Sequence, residues 1–289
     1  MPELPEVEVL VRHLRPRVTG RTIVEATLHR SKSGRPESPA SFRAKLKGAT
    51  IAGVRRRAKN LLFDLTGTDG KPWATLVGHL GMTGRMYVAP EVRALPKHTV
   101  VTLDLGEGIF IFEDTRYFGR MHFDLSGLEA LGPEPLDDAF TPAMLALRLK
   151  GSRQPIKVKL LDQEAIAGVG NIYASEALWL AQIGPKRLAG GLKKTEIERL
   201  HCAIREVLTE AIRFGSTVPL GFSSDGKNDG LFYYGSVPGD EAGYEERLRV
   251  YDRAGQPCLR CGKPIQRIVQ ASRSTFFCPA CQKSGRDPR

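Results

Sequence analysis

Met1-Pro2-Glu3-Leu4-Pro5-Glu6-Val7-Glu8 opens the chain, and the rest of the fold is read outward from it. Val7, Leu10, Val11 and Leu14 recur at helical spacing, so the octet leads into an amphipathic helix, with Pro5 suited to its first turn and Pro16 expected to end it. Methionine aminopeptidases remove an initiator methionine that precedes a small side chain, which leaves the secondary amine of Pro2 at the head of this helix. A free α-amino group titrates near ~8, so a fraction is unprotonated at neutral pH and can attack an aldehyde. The adduct of a secondary amine is a charged iminium, a strong electron sink, and Glu3 stands one residue away to exchange protons. The alternative is that Pro2 and Pro5 do no more than start a helix. A retained Met1 would close the chemical route by locking the nitrogen in a peptide bond.

Beyond the helix the hydrophobic period changes from helical to alternating. Residues 22–28, 50–56, 60–65, 73–77, 85–88, 100–105, 109–113 and 121–125 read as short strands with turn residues between them, and eight such strands make a β-sandwich or flattened barrel. Leu131-Gly132-Pro133-Glu134-Pro135-Leu136 breaks this rhythm as a proline-rich linker, and the pattern is helical from Thr141 onward. Thr195 and Glu198 are spaced as a capping box opening a helix in which Ile197, Leu200, Ile204, Leu208 and Ala211 share one face. The expected fold class is α+β: a β-sandwich with its leading helix over residues 1–130, a linker over 131–140, a helical domain over 141–249 and a metal module over 250–289.

The length of 289 residues favours two domains, and 41% hydrophobic content suffices for their cores. A formal charge of +11 points to a polyanionic partner. Nucleic acid comes ahead of membrane because no segment is long or apolar enough to span or lie in a bilayer; the alternative is a merely soluble basic protein. The acidic N-terminus, its apolar stretch broken by Arg12 and Arg15, does not read as a signal peptide, so the expected compartment is the cytoplasm.

Cys258-x-x-Cys261 and Cys278-x-x-Cys281 are spaced as a four-thiolate zinc site in a reducing compartment. Four ligands fill a tetrahedral shell and leave no place for an activated water, so one structural zinc ion is expected. The fifth cysteine, Cys202, reads as a small buried or spare side chain. Between the cysteine pairs lie two strands, 266–269 and 274–277, with Arg273 near their hairpin turn. From residue 250 on, eight Lys/Arg stand against two Asp, a concentration of charge suited to a DNA-facing module.

Three further stretches carry chemistry. Arg55-Arg56-Arg57-Ala58-Lys59 is a basic turn feeding an apolar strand, either a solvated face or a phosphate contact. Met82 sits on a glycine-flanked turn, and Asp114-Thr115-Arg116-Tyr117-Phe118-Gly119 offers a cation and two aromatics on another. Enzymes that act on a base extrude it from the duplex, and apolar wedges fill the void it leaves. Gly168-Val169-Gly170-Asn171 leads glycines into a helix start, where outward backbone amides favour an anion.

In order and in residue detail these motifs resemble the formamidopyrimidine-DNA glycosylases, the bacterial Fpg/Nei repair family. The octet, the basic turn, the two wedge loops, the string from Ile166 to Trp179 and the cysteine module all take part. The resemblance implies Pro2 as Schiff-base nucleophile, Glu3 as proton carrier, Lys59 as a phosphate-contacting lyase residue and Glu6 in support of Glu3. It implies a void-filling trio of Met82, Arg116 and Phe118, with Arg116 on the orphaned base. Tyr117 stands where relatives often have a basic residue. Asn171 in a helix-two-turn-helix and Arg273 on the zinc hairpin would hold phosphates. Lys157, with Lys159 beside it, matches a lysine near the lesion, and His79 either touches a phosphate or is structural. Residues 216–246 match the loop that closes over the everted base, longer here and departing from the usual pattern.

Leu4 favours the Fpg branch, so the implied function is a glycosylase and apurinic/apyrimidinic lyase for oxidised purines such as 8-oxoguanine and formamidopyrimidines. It would act as a monomer on damaged double-stranded DNA, through β,δ-elimination. An endonuclease VIII-like enzyme for oxidised pyrimidines and a non-catalytic damaged-DNA-binding protein are the alternatives.

Overall fold

A computed structural model describes residues 2–90, 94–214 and 248–283. The chain divides into two compact units, one running to Glu129 and one from Ala130. The loop expected over 216–246 lies outside the described residues.

The first unit opens with α1 (Leu4–Val18), which buries Leu4, Val7, Leu10, Val11, Leu14 and Val18 along one stripe. The expected stop at Pro16 does not occur: Pro16 lies inside the helix, and closure comes where the Thr19 N–H donates to the Arg15 carbonyl at 3.1 Å. A proline this close to the C-terminus forfeits a single helical hydrogen bond, and burial of Leu14 and Val18 carries the last turn past it.

All eight expected strands form: β1 (Glu25–Leu28), β2 (Thr50–Arg57), β3 (Asn60–Thr66), β4 (Pro72–His79), β5 (Gly84–Ala89), β6 (Thr99–Asp104), β7 (Ile109–Asp114) and β8 (Arg120–His122). The first is shorter than its alternation suggests, with Thr22 contributing an isolated bridge to Thr50. Helix α2 (Pro39–Leu46) follows β1, capped by Ser38 and anchored by Phe42 and Leu46. The strands make two antiparallel sheets, β2-β3-β4-β8 and β1-β6-β7-β5. Phe63 of β3 and Phe110 of β7 meet edge to face with centroids 5.6 Å apart, both fully buried, so one aromatic pair joins the sheets. The single turn α3 (Ser126–Glu129) ends the unit.

The second unit holds α4 (Pro142–Leu149), capped by Thr141, then α5 (Ile156–Leu160), α6 (Asn171–Leu180) and α7 (Lys194–Phe214). The expected box at Thr195 and Glu198 moves back by two residues: Glu196 accepts from the Lys193 N–H at 2.8 Å, and Thr195 lies within the helix. Residues 131–140 are fastened to this unit, with Gly132 N–H on the Gln163 carbonyl at 2.8 Å and Arg205 on the Asp137 carbonyl at 2.8 Å. A hairpin of β9 (Gln266–Gln270) and β10 (Arg273–Phe277) closes the described chain. Its two-residue turn, Ala271 and Ser272, takes positive φ at both positions, the primed geometry whose twist suits a hairpin. Among the described residues no helix is long and apolar enough to cross a membrane.

Replacing Phe110 with Ala is expected to cost about 3–5 kcal/mol of stability, because it empties the joint between the sheets. Denaturant titration reads this directly, and a loss under about 1 kcal/mol, far below that range, would show that the aromatic pair is not the joint.

Candidate active site

The N-terminal residues are held rather than trailing. Glu3 is the N-cap of α1, with extended backbone and 2% exposure, and Pro2 before it is half-buried. Glu6 Oε2 accepts the Glu3 N–H at 2.6 Å. This places a buried carboxylate in the first turn, where the helix dipole favours it. Glu6 thus fixes the backbone that follows Pro2.

Helix α1 is tied to the basic turn one turn farther along. Glu8 accepts from Arg56 at 3.0 Å and from Arg12 at 2.8 Å. Burial alone would push the Glu8 carboxyl up, but the two guanidiniums bring it below the usual range. Arg56 also donates to the Ala58 carbonyl at 3.2 Å, next to Lys59. Lys59 sits in the two-residue loop between the paired ends Arg57 and Asn60, where Ala58 takes φ +54°. Of the charge run, Arg55 pairs with Asp64 at 2.7 Å and Arg56 with Glu8, so two of its four cations brace the sheet and helix. Arg56 braces α1 against this turn, a link that sequence reading left inside an undifferentiated basic run.

His79 ends β4 opposite Asn60 on one side and Arg120 on the other. Its Nδ1 accepts the Gly81 N–H at 3.1 Å, so the neutral ring carries its proton on Nε2. Burial lowers its pKa below the ordinary 6.5, and the charges of Lys59, His122 and Arg120 lower it further. At neutral pH His79 is therefore an uncharged donor in the field of Lys59.

The wedge loops form one substructure organised by Asp114, which is fully buried. Asp114 accepts from Thr83 Oγ1 at 2.5 Å, the Arg116 N–H at 3.1 Å and the Gly119 N–H at 2.7 Å, so one carboxylate shapes both loops. Gly81 (φ +64°) allows their contact: a Cβ there would lie 2.6 Å from the Gly119 nitrogen. Met82 and Phe118 are left 42% and 54% exposed, an uncommon fate for large apolar side chains that could pack inward. The Arg116 guanidinium stands 5.0 Å from the Phe118 ring centre. The structure brings Met82, Arg116 and Phe118 together as exposed tips on a rigid base.

In the second unit Asn171 is the first residue of α6, after a glycine loop set by Gln163, which accepts the Gly168 N–H at 2.9 Å and donates to the Val169 carbonyl at 2.8 Å. Lys157 is fully buried and donates to Asn171 Oδ1; Asn171 Nδ2 donates to the Ser274 carbonyl of β10 at 3.0 Å. Lys157, rather than Lys159, joins this network, since Lys159 pairs with Asp162 at 2.7 Å. Arg273, exposed at the head of β10, is thereby registered against the start of α6.

Two links that sequence reading missed hold the far end of α6. Glu176, 2% exposed, accepts the N–H groups of Arg249, Val250 and Tyr251 at 2.8, 2.8 and 2.9 Å. The indole N–H of Trp179 donates to Cys258 Sγ at 3.4 Å, with the Arg260 guanidinium 4.2 Å over its ring. The only signal for Glu176 was the one charged side chain on a helix otherwise uncharged from Asn171 to Leu180.

The sulfurs of Cys258, Cys261, Cys278 and Cys281 lie within 4.8 Å of one another, with Cys258–Cys281 at 4.0 Å and Cys261–Cys278 at 3.5 Å. Zn–S bonds of ~2.3 Å in a tetrahedron place sulfurs ~3.8 Å apart, so the set fits one zinc ion. Burial and the neighbouring cysteines push the Cys281 thiol up to about 12; a divalent cation offsets that crowding, and the zinc is structural because all four positions are filled by protein. Cys202, by contrast, is exposed on α7 rather than buried.

The buried carboxyl beside Pro2, the aromatic and methionine tips on the β-sandwich and the helix start braced by the cysteine hairpin belong to a chain whose relatives mark it as a base-excision-repair DNA glycosylase. Family models agree along the chain: the formamidopyrimidine-DNA glycosylase N-terminal domain over residues 1–121, its H2TH domain over 131–220, and the zinc finger found in FPG and IleRS over 255–283. The chain is 47% identical to the formamidopyrimidine-DNA glycosylase of Chloroflexus aurantiacus over 100% of both chains, and 48% identical to that of Chloroflexus aggregans over 98% of each. Among solved structures, the Lactococcus lactis Fpg bound to abasic-site DNA matches with a TM-score of 0.84 at 33% identity, covering 98% of this chain and 100% of that one. The Fpg of Thermus thermophilus matches at 0.80 and 40% identity, with the same coverage. The chain belongs to the formamidopyrimidine-DNA glycosylase family.

Two measurements check this geometry. Imidazole NMR is expected to place the His79 midpoint below 6.5 and to move it upward in Lys59→Ala; an unmoved midpoint would put Lys59 elsewhere. Stripping zinc with a chelator is expected to unfold the hairpin module and red-shift Trp179 emission, with Trp73→Phe removing the other tryptophan. Unchanged emission after proven metal loss would sever Trp179 from the zinc site.

Proposed function

We propose that the chain removes oxidised purines, 8-oxoguanine and formamidopyrimidines, from double-stranded DNA and then cleaves the strand, acting as a monomer in the bacterial cytoplasm. In the mature chain the Pro2 nitrogen attacks the deoxyribose C1′ as the bond from C1′ to the damaged base breaks, and the base leaves with a proton. Glu3 exchanges protons at the sugar as the ring opens to the iminium. That cation acidifies the C2′ proton, whose removal expels the 3′ phosphate by β-elimination; a second elimination releases the 5′ phosphate, and water frees Pro2. Lys59, Asn171 and Arg273 hold the phosphates, while His79 contacts the backbone as a neutral donor. Lys157 acts through Asn171. Met82, Phe118 and Arg116 occupy the void, Arg116 on the orphaned base.

The observation that carries this reading is the buried Glu3 carboxyl at the head of α1, its backbone pinned by Glu6 beside Pro2. A helix start built only for stability would expose its capping acid to water. Relatives named for formamidopyrimidine excision, and a Lactococcus lactis Fpg variant solved with Fapy-dG DNA, support the purine preference.

Sodium borohydride trapping of mass-verified protein lacking Met1, on duplexes carrying 8-oxoguanine, an oxidised pyrimidine or an abasic site, is the test. Adducts are expected with 8-oxoguanine ahead of the pyrimidine, and Glu3→Gln is expected to slow base release by about 10²–10⁴-fold. If such protein trapped nothing even at the abasic site, a damage-binding role would replace the catalytic one.

A further inference from the structure

The wedge loop is served by a second guanidinium from a distant part of the chain. Arg30, on the segment after β1, donates from Nη2 to the Tyr117 hydroxyl at 2.7 Å, and its Cζ lies 4.1 Å from the centre of the Tyr117 ring. The same hydroxyl is 2.8 Å from His98 Nδ1. With one proton and two lone pairs the hydroxyl bonds Arg30 and the His98 ring together, so the three side chains form one connected chain of hydrogen bonds. Tyr117 stands between Arg116 and Phe118 and holds φ at +55°, a left-handed conformation that is strained for a bulky residue.

The arrangement is poorly explained as a stabilising device. A cation over an aromatic ring at an exposed site contributes little to stability. Arg30 and Arg116 are both exposed, and among the described residues neither pairs with a carboxylate, whereas Arg43, Arg55, Arg56 and Arg85 each do. The one acid inside the loop, Asp114, spends its oxygens on Thr83, Arg116 N–H and Gly119 N–H. What results is a guanidinium held over the ring of the residue next to the exposed Phe118, with donors to spare.

We propose that Arg30 is a DNA-phosphate contact at the wedge and that Tyr117 is its positioning residue, the ring and hydroxyl fixing the guanidinium where the strand entered by Phe118 must pass. The proposal rests on the reading of the chain as an enzyme of duplex DNA. The contact suits the purpose because a guanidinium already held by a ring and one hydroxyl keeps its remaining N–H groups for phosphate oxygens, and less side-chain entropy is lost when they bind.

The test is equilibrium binding to a duplex carrying a tetrahydrofuran abasic analogue, followed by fluorescence anisotropy across a salt series. Arg30→Ala is expected to weaken binding several-fold and to lower the slope of log K against log salt by about 0.9, the counterion release of one phosphate. Arg30→Lys is expected to keep that slope, since the charge remains. Tyr117→Leu is expected to weaken binding as Arg30→Ala does, and the double variant to be no weaker than either single one. An unchanged slope in Arg30→Ala, or additive losses in the double variant, would overturn the proposal. Thermal unfolding of each variant establishes that it is folded, and Arg30→Gln, which keeps a polar stem and loses the charge, decides the slope if the alanine variant is not. Borohydride trapping by the unaltered protein on the abasic duplex is a separate readout: its failure counts against the glycosylase reading, while the slope alone decides the place of Arg30.

Discussion

A chain terminus frays first, and the proposed nucleophile is the terminal nitrogen itself. The first unit answers that constraint at successive distances from Pro2. The Glu6 carboxylate holds the Glu3 backbone, and an apolar stripe from Leu4 to Val18 buries the helix. Glu8 and Arg56 then lock that helix to the turn bearing Lys59. Behind them the Phe63–Phe110 contact keeps the two sheets in one relation. Each layer removes freedom that an amine at a disordered end would have to lose during the reaction, which is how positioning lowers a barrier.

Helix α6 plays the corresponding part in the second unit. Its start is pinned by Asn171 to β10, its middle by Glu176 to residues 249–251, and its end by Trp179 to Cys258. The zinc ion therefore stabilises more than a short hairpin. It fixes the strand that carries Arg273 relative to the glycine loop before Asn171, and the buried Lys157 ammonium, shared between Asn171 and the Ser274 carbonyl, tightens the same joint.

Local pattern sufficed for every strand of the sandwich, for the hairpin and for the cysteine quartet, because alternation and ligand spacing are short-range signals. The exposed Met82 and Phe118 were legible for a similar reason: flanking glycines and a polar start to the loop mark a tip. Residue-level assignments at Pro2, Glu3, Lys59 and Asn171 came from resemblance, and the structure adds what surrounds them. Pro16 misled because its rule describes an isolated helix, whereas burial of Leu14 and Val18 decides this one. The capping box shifted from Thr195 and Glu198 to Lys193 and Glu196: the glutamate half of the motif accepts a backbone N–H whatever residue carries it, and the Lys193 N–H serves as well as that of Thr195. Arg56 with Glu8, Glu176 with residues 249–251, and Arg30 with Tyr117 were illegible because each pairs residues far apart in sequence, and only the fold chooses among the candidate partners.

Asp114 has a consequence for how this molecule responds to its medium. All its donors are uncharged: one hydroxyl and two backbone N–H groups, on a side chain sealed from solvent. Counterions screen contacts between charges at the surface, and they leave buried dipolar contacts of this kind almost untouched. The wedge therefore keeps its form at ionic strengths that strip cations of their hold on a polyanion. Shape and grip are governed by different physics in adjacent atoms, and a change of salt separates them.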